Sequence, residues 1–257
     1  MLRLQKMPHL RRIAGTTPQT AMPAALLLAA LAALPWNGLR AADPDQILGC
    51  MERAGEENRA LTQAYTSARI YRAENVKLHK AGTVHVEVLY TPPGQKDYRI
   101  VSKTGSGIVH KRVMEPALEE ERRNAPPASR VHTDTHRRNY DFAFLEFDAQ
   151  AGANVFQAAP KAPDKRLFKG KVWIDEATCA VLRIEGEPAV SPSFWVKKTQ
   201  FRHDYARVEG VWLPVRHHTE VQLRLFGRST FDIEYVRYSF GAPAETATWI
   251  PPAAAAE

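Results

Sequence analysis

Apolar and polar positions change period along the chain, and each change marks an element. Ala24 to Leu34 is an unbroken run of Ala and Leu. From Asp45 to about Tyr65 the apolar residues Ile47, Met51, Ala54, Leu61 and Tyr65 recur at three- and four-residue steps, with Glu52, Arg53, Glu56, Glu57 and Arg59 between them. That spacing predicts one amphipathic helix with a single apolar stripe. The period then becomes two: Val84, Val86, Val88 and Tyr90 alternate with Thr83, His85, Glu87 and Leu89. Pro92-Pro93-Gly94 turns this strand into a hairpin partner over 98–103. Residues 115–124 predict a short charged helix started by Pro116 and ended by Ala125-Pro126-Pro127. Residues 139–148 predict a strand with Tyr140, Phe142 and Phe144 on one face, followed by 155–159 and a Pro- and Lys-rich connection over 160–166.

The last third reads as five strands, at 169–174, 180–185, 193–207, 215–226 and 230–240. Turns as short as those at 175–178, 186–192, 209–210 and 227–228 join only antiparallel neighbours, so the pattern is a meander. Val215, His217, Thr219, Val221, Leu223 and Leu225 oppose Arg216, His218, Glu220, Gln222 and Arg224; Phe231, Ile233 and Tyr235 oppose Asp232 and Glu234. Such alternation means one dry and one wet face. A dry face must be covered, here by the helix at 45–65, the helix at 115–124 or a ligand. Without repeats, a second core or a long linker, residues 42–240 form one domain. Residues 241–257, rich in Ala, Pro and Thr, read as a disordered tail.

The 257 residues are 44% hydrophobic and 25% charged, which excludes collagen-like, disulfide-dense and wholly disordered chains. The net charge of +7 suggests nucleic acid until it is located. Residues 1–41 hold five basic residues and no acidic one, which leaves 30 basic against 28 acidic residues elsewhere. The basicity is concentrated in the leader, and a phosphate-binding field is not supported. Arg3, Lys6, Arg11 and Arg12 precede the Ala/Leu run, and Pro35, Gly38 and Leu39-Arg40-Ala41 follow it. This three-part pattern is that of an export signal cleaved near Ala41. The run is too short to cross a bilayer as a helix of ~20 residues. Ile47-Leu48-Gly49-Cys50 matches a lipobox, but the charged Asp43-Pro44-Asp45-Gln46 separates it from the apolar run, so a soluble mature protein starting near Ala42 in the periplasm is expected.

The two cysteines are Cys50 and Cys179. In an oxidising compartment they either pair, closing a long loop, or remain two buried thiols that behave as small hydrophobes. Neither belongs to a CxxC motif. The histidines make no case for a metal site: His217 and His218 are adjacent in a strand and face opposite ways, as do His203 and Asp204, and His132 and His136 lie among Pro and Thr in a loop. No GxSxG, P-loop or strand–GxGxxG–helix pattern occurs. Aromatic residues crowd into the meander, among them Trp173, Phe194, Trp195, Phe201, Trp212, Phe226, Phe231, Tyr235 and Tyr238. They fill a core, or some of them line a cavity suited to acyl chains.

From Asn139 to Tyr238, Asn139-Tyr140-Asp141-Phe142, Ala159-Pro160-Lys161, Gly170-Lys171-Val172-Trp173-Ile174-Asp175, Val181-Leu182-Arg183-Ile184-Glu185-Gly186, Gly210-Val211-Trp212-Leu213-Pro214 and Tyr235-Val236-Arg237-Tyr238 follow in order. This string resembles the outer-membrane lipoprotein-sorting, LolA/LolB-like superfamily, and more closely its exported, uncharacterised members. The resemblance implies an α+β fold: a strongly curved antiparallel sheet, or half-open β-barrel, with helices plugging the concave face. It also implies a non-catalytic periplasmic carrier, without cofactor or metal, that holds the acyl chains of lipids or lipoproteins. An envelope protein that binds a protein partner or senses stress is the alternative. The cavity residues expected are Phe194, Val221, Leu223, Leu225, Phe231, Ile233 and Tyr235 on the dry face, with Trp173, Trp195 and Trp212. Contact with a membrane is expected to be transient at most.

Overall fold

The computed structural model describes residues 43–241; the leader and the tail expected from the sequence lie outside them. Helix α1 spans Pro44–Leu61. Asp43 caps it by accepting a hydrogen bond from the Asp45 amide at 3.1 Å, Pro44 occupies the first turn, and Ile47, Leu48 and Met51 form the buried stripe. The helix is shorter than its pattern suggests. Leu61 is exposed, the Thr62 hydroxyl bonds back to the Asn58 carbonyl at 2.6 Å, and Tyr65 opens a strand instead.

That strand, β1 (Tyr65–Asn75), was not expected from the pattern. Its inward positions include Ser67 and Arg69, which break the hydrophobic alternation although both are fully buried. β2 (Lys80–Thr91) and β3 (Gln95–Gly105) follow as a hairpin. Next comes a continuous helical run: α2 (Gly107–Val109), a π turn (His110–Met114) and α3 (Glu115–Asn124). The sequence pattern predicts only its last part. In a regular α-helix the ring of Pro116 would clash with the Arg112 carbonyl; the π turn before it re-registers the hydrogen bonds there. After the short α4 (Pro127–Arg130), seven strands follow: β4 (Tyr140–Asp148), β5 (Ala153–Pro160), β6 (Phe168–Asp175), β7 (Val181–Pro188), β8 (Val196–Val208), β9 (Val211–Leu223) and β10 (Gly227–Phe240).

All ten strands make one antiparallel, curved, open sheet in the order β3-β2-β1-β10-β9-β8-β7-β6-β5-β4. This is the half-open barrel expected. β4 to β10 form the meander, and β10 returns to β1, pairing Tyr65 with Phe240 and Asn75 with Ser229. Register shifts at Ala68/Arg69, His85/Val86, Phe144/Glu146, Trp173/Ile174 and Asp204/Tyr205 bend and twist the strands. Gly170 and Gly186 face each other across β6 and β7, so close that a Cβ on either would strike the opposite backbone.

One face of the sheet carries two separate helical covers. α1 lies over β4–β7, where Ile47, Leu48 and Met51 pack with Tyr140, Phe156, Leu167, Val172, Ile174 and Ile184. The α2–α3 run lies over β1–β3 and β10, where Val109, Met114 and Leu118 pack with Tyr71, Val84, Val86, Val88 and Ile233. Cys50 of α1 is joined to Cys179 in the β6–β7 turn by a disulfide. Among the described residues no helix is long and apolar enough to cross a membrane.

Candidate functional site

Strand registers define a row of side chains across the covered face. Val84 pairs with Tyr71, Tyr71 with Ile233, Ile233 with His217, His217 with His203, His203 with Ile184, Ile184 with Val172 and Val172 with Phe156. Both ends of the row are fully buried, beneath the α2–α3 run and beneath α1. Between the covers, on β8–β10, Phe201, His203, Tyr205, His217, Thr219, Phe231 and Tyr235 are deep in the sheet yet only half-buried. This strip is the candidate site.

At its centre the rings of His203 and His217 lie 4.1 Å apart. Phe201 stands 4.9 Å from His203, and Phe231 stands 6.0 Å from His217. The Nε2 of His217 is 2.7 Å from the Thr219 hydroxyl. Burial pushes the His203 imidazole down to about 4, with Asp204 opposing. Burial and then the charge of His203 push His217 down to about 3. Both rings are therefore neutral near pH 7, each with one donor and one acceptor nitrogen. Burial also raises the Tyr205 phenol to about 12 and lifts Tyr235 well above the ordinary range. The strip is aromatic with uncharged polar points, a lining that sheds water from an apolar ligand while offering hydrogen bonds to a polar end.

On one side stands an ionic latch. Arg69, fully buried in β1, donates from Nε to the Ser67 hydroxyl at 2.8 Å and from NH1 to Oε1 of Glu121 on α3 at 2.7 Å. The Tyr71 hydroxyl donates to the other Glu121 oxygen at 3.0 Å, and Lys96 donates to Oε1 at 2.6 Å. The guanidinium also sits 4.6 Å over the Tyr235 ring. Burial alone would raise the Glu121 carboxyl, but Arg69 and Lys96 outweigh it and hold the carboxyl far below the usual range. Burial likewise opposes the Arg69 charge, and Glu121 more than restores it. The pair is ionised.

On the other side, β9 pairs with β10 only from Leu223 to Arg216, so its first residues are free of that neighbour. Asn58 at the end of α1 takes the vacant place: its Nδ2 donates to the Trp212 carbonyl at 2.9 Å and its Oδ1 accepts from the Trp212 amide at 2.7 Å. Beside it a cleft of about 300 Å³ runs under α1, floored by Met51, Val181, Ile184 and Tyr205 and rimmed by Glu52, Arg59, Asp134 and His136. A hydrogen bond from Arg137 outweighs burial and keeps the Glu52 carboxyl low.

The residues singled out from the sequence separate into groups. Phe231, Ile233 and Tyr235 are on the covered face and pack with the α2–α3 cluster; Ile233 is fully buried and the two aromatics border the strip. Val221 and Leu223 continue the β9 face beyond Thr219 and are half-buried. Trp173 is on the other face, packed with Ala153, Val155 and Leu182, its Nε1 donating to Asp148 at 3.1 Å. Trp212 alternates with the inward Val211 and Leu213. Phe194, Trp195 and Leu225 lie in loops at the end of the sheet, more than half exposed. Sequence reasoning missed Arg69, Glu121 and the His203–His217 pair. The facing of His217 away from His218 was legible; its meeting with His203 required the register. Among the described residues no group of three or more His, Cys, Asp or Glu stands where it could hold a metal.

A half-open barrel with two helical covers and an aromatic strip between them is thus the class of structure. No family model matches the chain, and no curated protein matches it. Among solved structures it is similar to a LolA superfamily protein from Nitrosomonas europaea, at 11% identity over 78% of this chain and 94% of that one, with a TM-score of 0.45. It is also similar to a putative outer membrane lipoprotein-sorting protein domain from Vibrio parahaemolyticus (13% identity, 75% and 93% covered, TM-score 0.40). A third is a DUF1329 family protein from Desulfovibrio piger (10% identity, 76% and 92% covered, TM-score 0.42).

Proposed function

We propose that this protein is a periplasmic carrier that holds an acyl chain of a lipid or lipoprotein along the strip between its two helical covers. The reading takes residues 42–240 as one domain, with residues 1–41 a cleaved export signal and 241–257 a tail. The observation that carries it is the half-buried aromatic strip Phe201–His203–Tyr205–His217–Phe231–Tyr235, flanked on both sides by fully buried core. Apolar surface left accessible in such a place gains about 25 cal/mol per Å² when a ligand covers it. The α2–α3 run acts as the lid, held shut by Arg69 and Glu121. No catalytic step and no cofactor enter this reading.

Titration with a fluorescent fatty acid tests it. The parent protein should bind the probe, and Phe231→Ser should weaken binding about tenfold or more, since it removes a large apolar contact, with an unchanged circular dichroism spectrum. A folded parent that leaves the probe in water would refute the carrier. A second reading, docking of a protein partner, has its own observation: the edge strand β4 carries Phe144, Leu145 and Phe147 exposed, a template for an added strand. Phe147→Lys would abolish partner capture in that case and leave probe binding intact.

A further inference from the structure

Three loops meet at one end of the sheet, and together they form an apolar tip with a basic collar. The β7–β8 connection presents Phe194 and Trp195, 75% and 53% exposed; the β9–β10 turn presents Leu225 and Phe226; the β1–β2 turn presents Val76 and Leu78. These side chains do not dangle from loose segments. The Arg224 amide donates to the Trp195 carbonyl at 2.9 Å, its Nε donates to the Phe194 carbonyl at 2.8 Å, and its guanidinium lies 5.1 Å over the Phe194 ring. Lys77 donates to the Leu225 carbonyl at 3.0 Å, Asn75 to the Phe226 carbonyl at 3.0 Å, and the Val76 amide to the Arg228 carbonyl at 3.2 Å. The exposure is built in, although large apolar side chains held in water cost free energy unless something covers them.

Charge indicates what covers them. Residues 75–80, 188–198 and 222–229 contain Lys77, Lys80, Lys197, Lys198, Arg224 and Arg228, and no Asp or Glu; of these basic residues Arg228 is paired with Glu220 at 3.8 Å. Alongside, an open cleft of about 730 Å³ is lined by His79, Lys80, Lys111 and Arg112, with the exposed Ile108 at its wall. The nearest acid along the helical run, Glu115, is bound by Lys103 at 2.8 Å. Lysine is depleted in protein–protein interfaces. Exposed Trp, Phe and Leu at one end of the sheet, interleaved with Lys and Arg, are the chemistry of an element that enters the boundary between headgroups and acyl chains.

We infer that this tip docks the protein on an anionic lipid bilayer, Phe194, Trp195, Leu225 and Phe226 entering the interface while the lysines and the adjoining cleft meet the lipid phosphates. The contact is separate from the strip on the covered face, so it stands whether or not that strip carries an acyl chain.

Co-sedimentation of the mature protein with mixed phosphatidylglycerol–phosphatidylcholine vesicles tests it, with phosphatidylcholine vesicles as the neutral control. The protein should pellet with the anionic vesicles and much less with the neutral ones. Lys197→Gln with Lys198→Gln should weaken partition roughly 30-fold, because each basic residue near an anionic surface contributes additively. Phe194→Ser with Trp195→Ser should abolish pelleting while circular dichroism and melting temperature stay unchanged, as both side chains are exposed. Three results would overturn the inference: pelleting no greater with anionic than with neutral vesicles, the apolar double variant pelleting like the parent, or self-association of the parent in sedimentation velocity that the same variant abolishes. The last would make the tip a protein interface.

Discussion

The two covers rest on the same sheet face but are held by opposite kinds of chemistry. α1 has an apolar stripe over an apolar patch, a disulfide at Cys50 and the side chain of Asn58 completing the edge of β9. α3 is mostly charged; its one fully buried residue is Leu118, and its anchor is Glu121 on the buried Arg69. A covalent staple and a hydrophobic stripe resist acid and salt. A buried ion pair is stable only while both partners are in place, because either one left alone is an uncompensated charge. The difference makes α1 the cover tied by a covalent bond and apolar packing, and the α2–α3 run the cover tied by charge.

The largest effect should come from breaking the latch. Arg69→Met leaves Glu121 with only Lys96 and the Tyr71 hydroxyl and is expected to lower stability by about 3 kcal/mol or more in urea unfolding, with faster amide exchange in residues 107–124 than in α1. A loss below about 1 kcal/mol would mean the pair does not hold the lid. Removing the staple comes next. Cys50→Ser with Cys179→Ser should cost about 2–4 kcal/mol, and the exchange pattern should invert, α1 loosening while α3 stays protected. Equal loosening of both covers would erase the distinction drawn between them.

A third effect belongs to the strip between the covers. The folded pKa values of His203 and His217 lie below the ordinary 6.5 of histidine, at about 4 and about 3. As pH falls through 6.5 the unfolded chain takes up protons that the folded rings refuse, so stability declines from there towards the folded values. Replacing both by Gln should flatten the fall of melting temperature as pH drops from 6.5 towards the folded values. Glu121 works in the same direction at lower pH: its carboxyl is depressed, so its contribution is complete above the ordinary carboxylate range and is lost only in stronger acid. A pH profile unchanged by the double His variant would show that the rings are hydrated and titrate normally. The smallest effect is expected of Asn58→Ala, about 1 kcal/mol, read as earlier exchange of the Trp212 amide; an unchanged rate there would mean the side chain is not closing the strand edge.

Much of this arrangement was legible beforehand. The amphipathic stripe of Ile47 and Met51, the alternation over 84–90 and 215–223, and the short turn at 209–210 each follow from local periods of 3.6 or 2 and from turn chemistry, which need no distant partner; the turn expected at 227–228 falls instead at 224–226, with Gly227 and Arg228 already paired in β10. The resemblance carried the curvature and the plugging helices. β1 was illegible because Arg69 and Ser67 interrupt its alternation, and a buried arginine makes sense only once Glu121 is known to stand opposite. The tip residues Phe194, Trp195 and Leu225 looked like cavity lining because periodicity tells which side of a strand a residue takes, not whether the strand has ended or the sheet still has a cover there.

The histidine pair shows where the division lies. The two-residue turn at Glu209-Gly210 pairs Val208 with Val211 and Ala206 with Leu213, and by that count alone Arg216, not His217, would face His203. A single extra residue at the shift between Asp204 and Tyr205 moves the register by one and brings the two rings together. The sequence by itself determined the strands of the meander, its hairpins and its dry side, because those depend on neighbours a few residues apart. Only the tertiary structure decided the closure of β10 on β1, the bulge that joins His203 to His217 and the partner that lets Arg69 be buried. These are contacts between segments tens of residues apart, and their free energy exists only when the sheet bends far enough to bring them face to face.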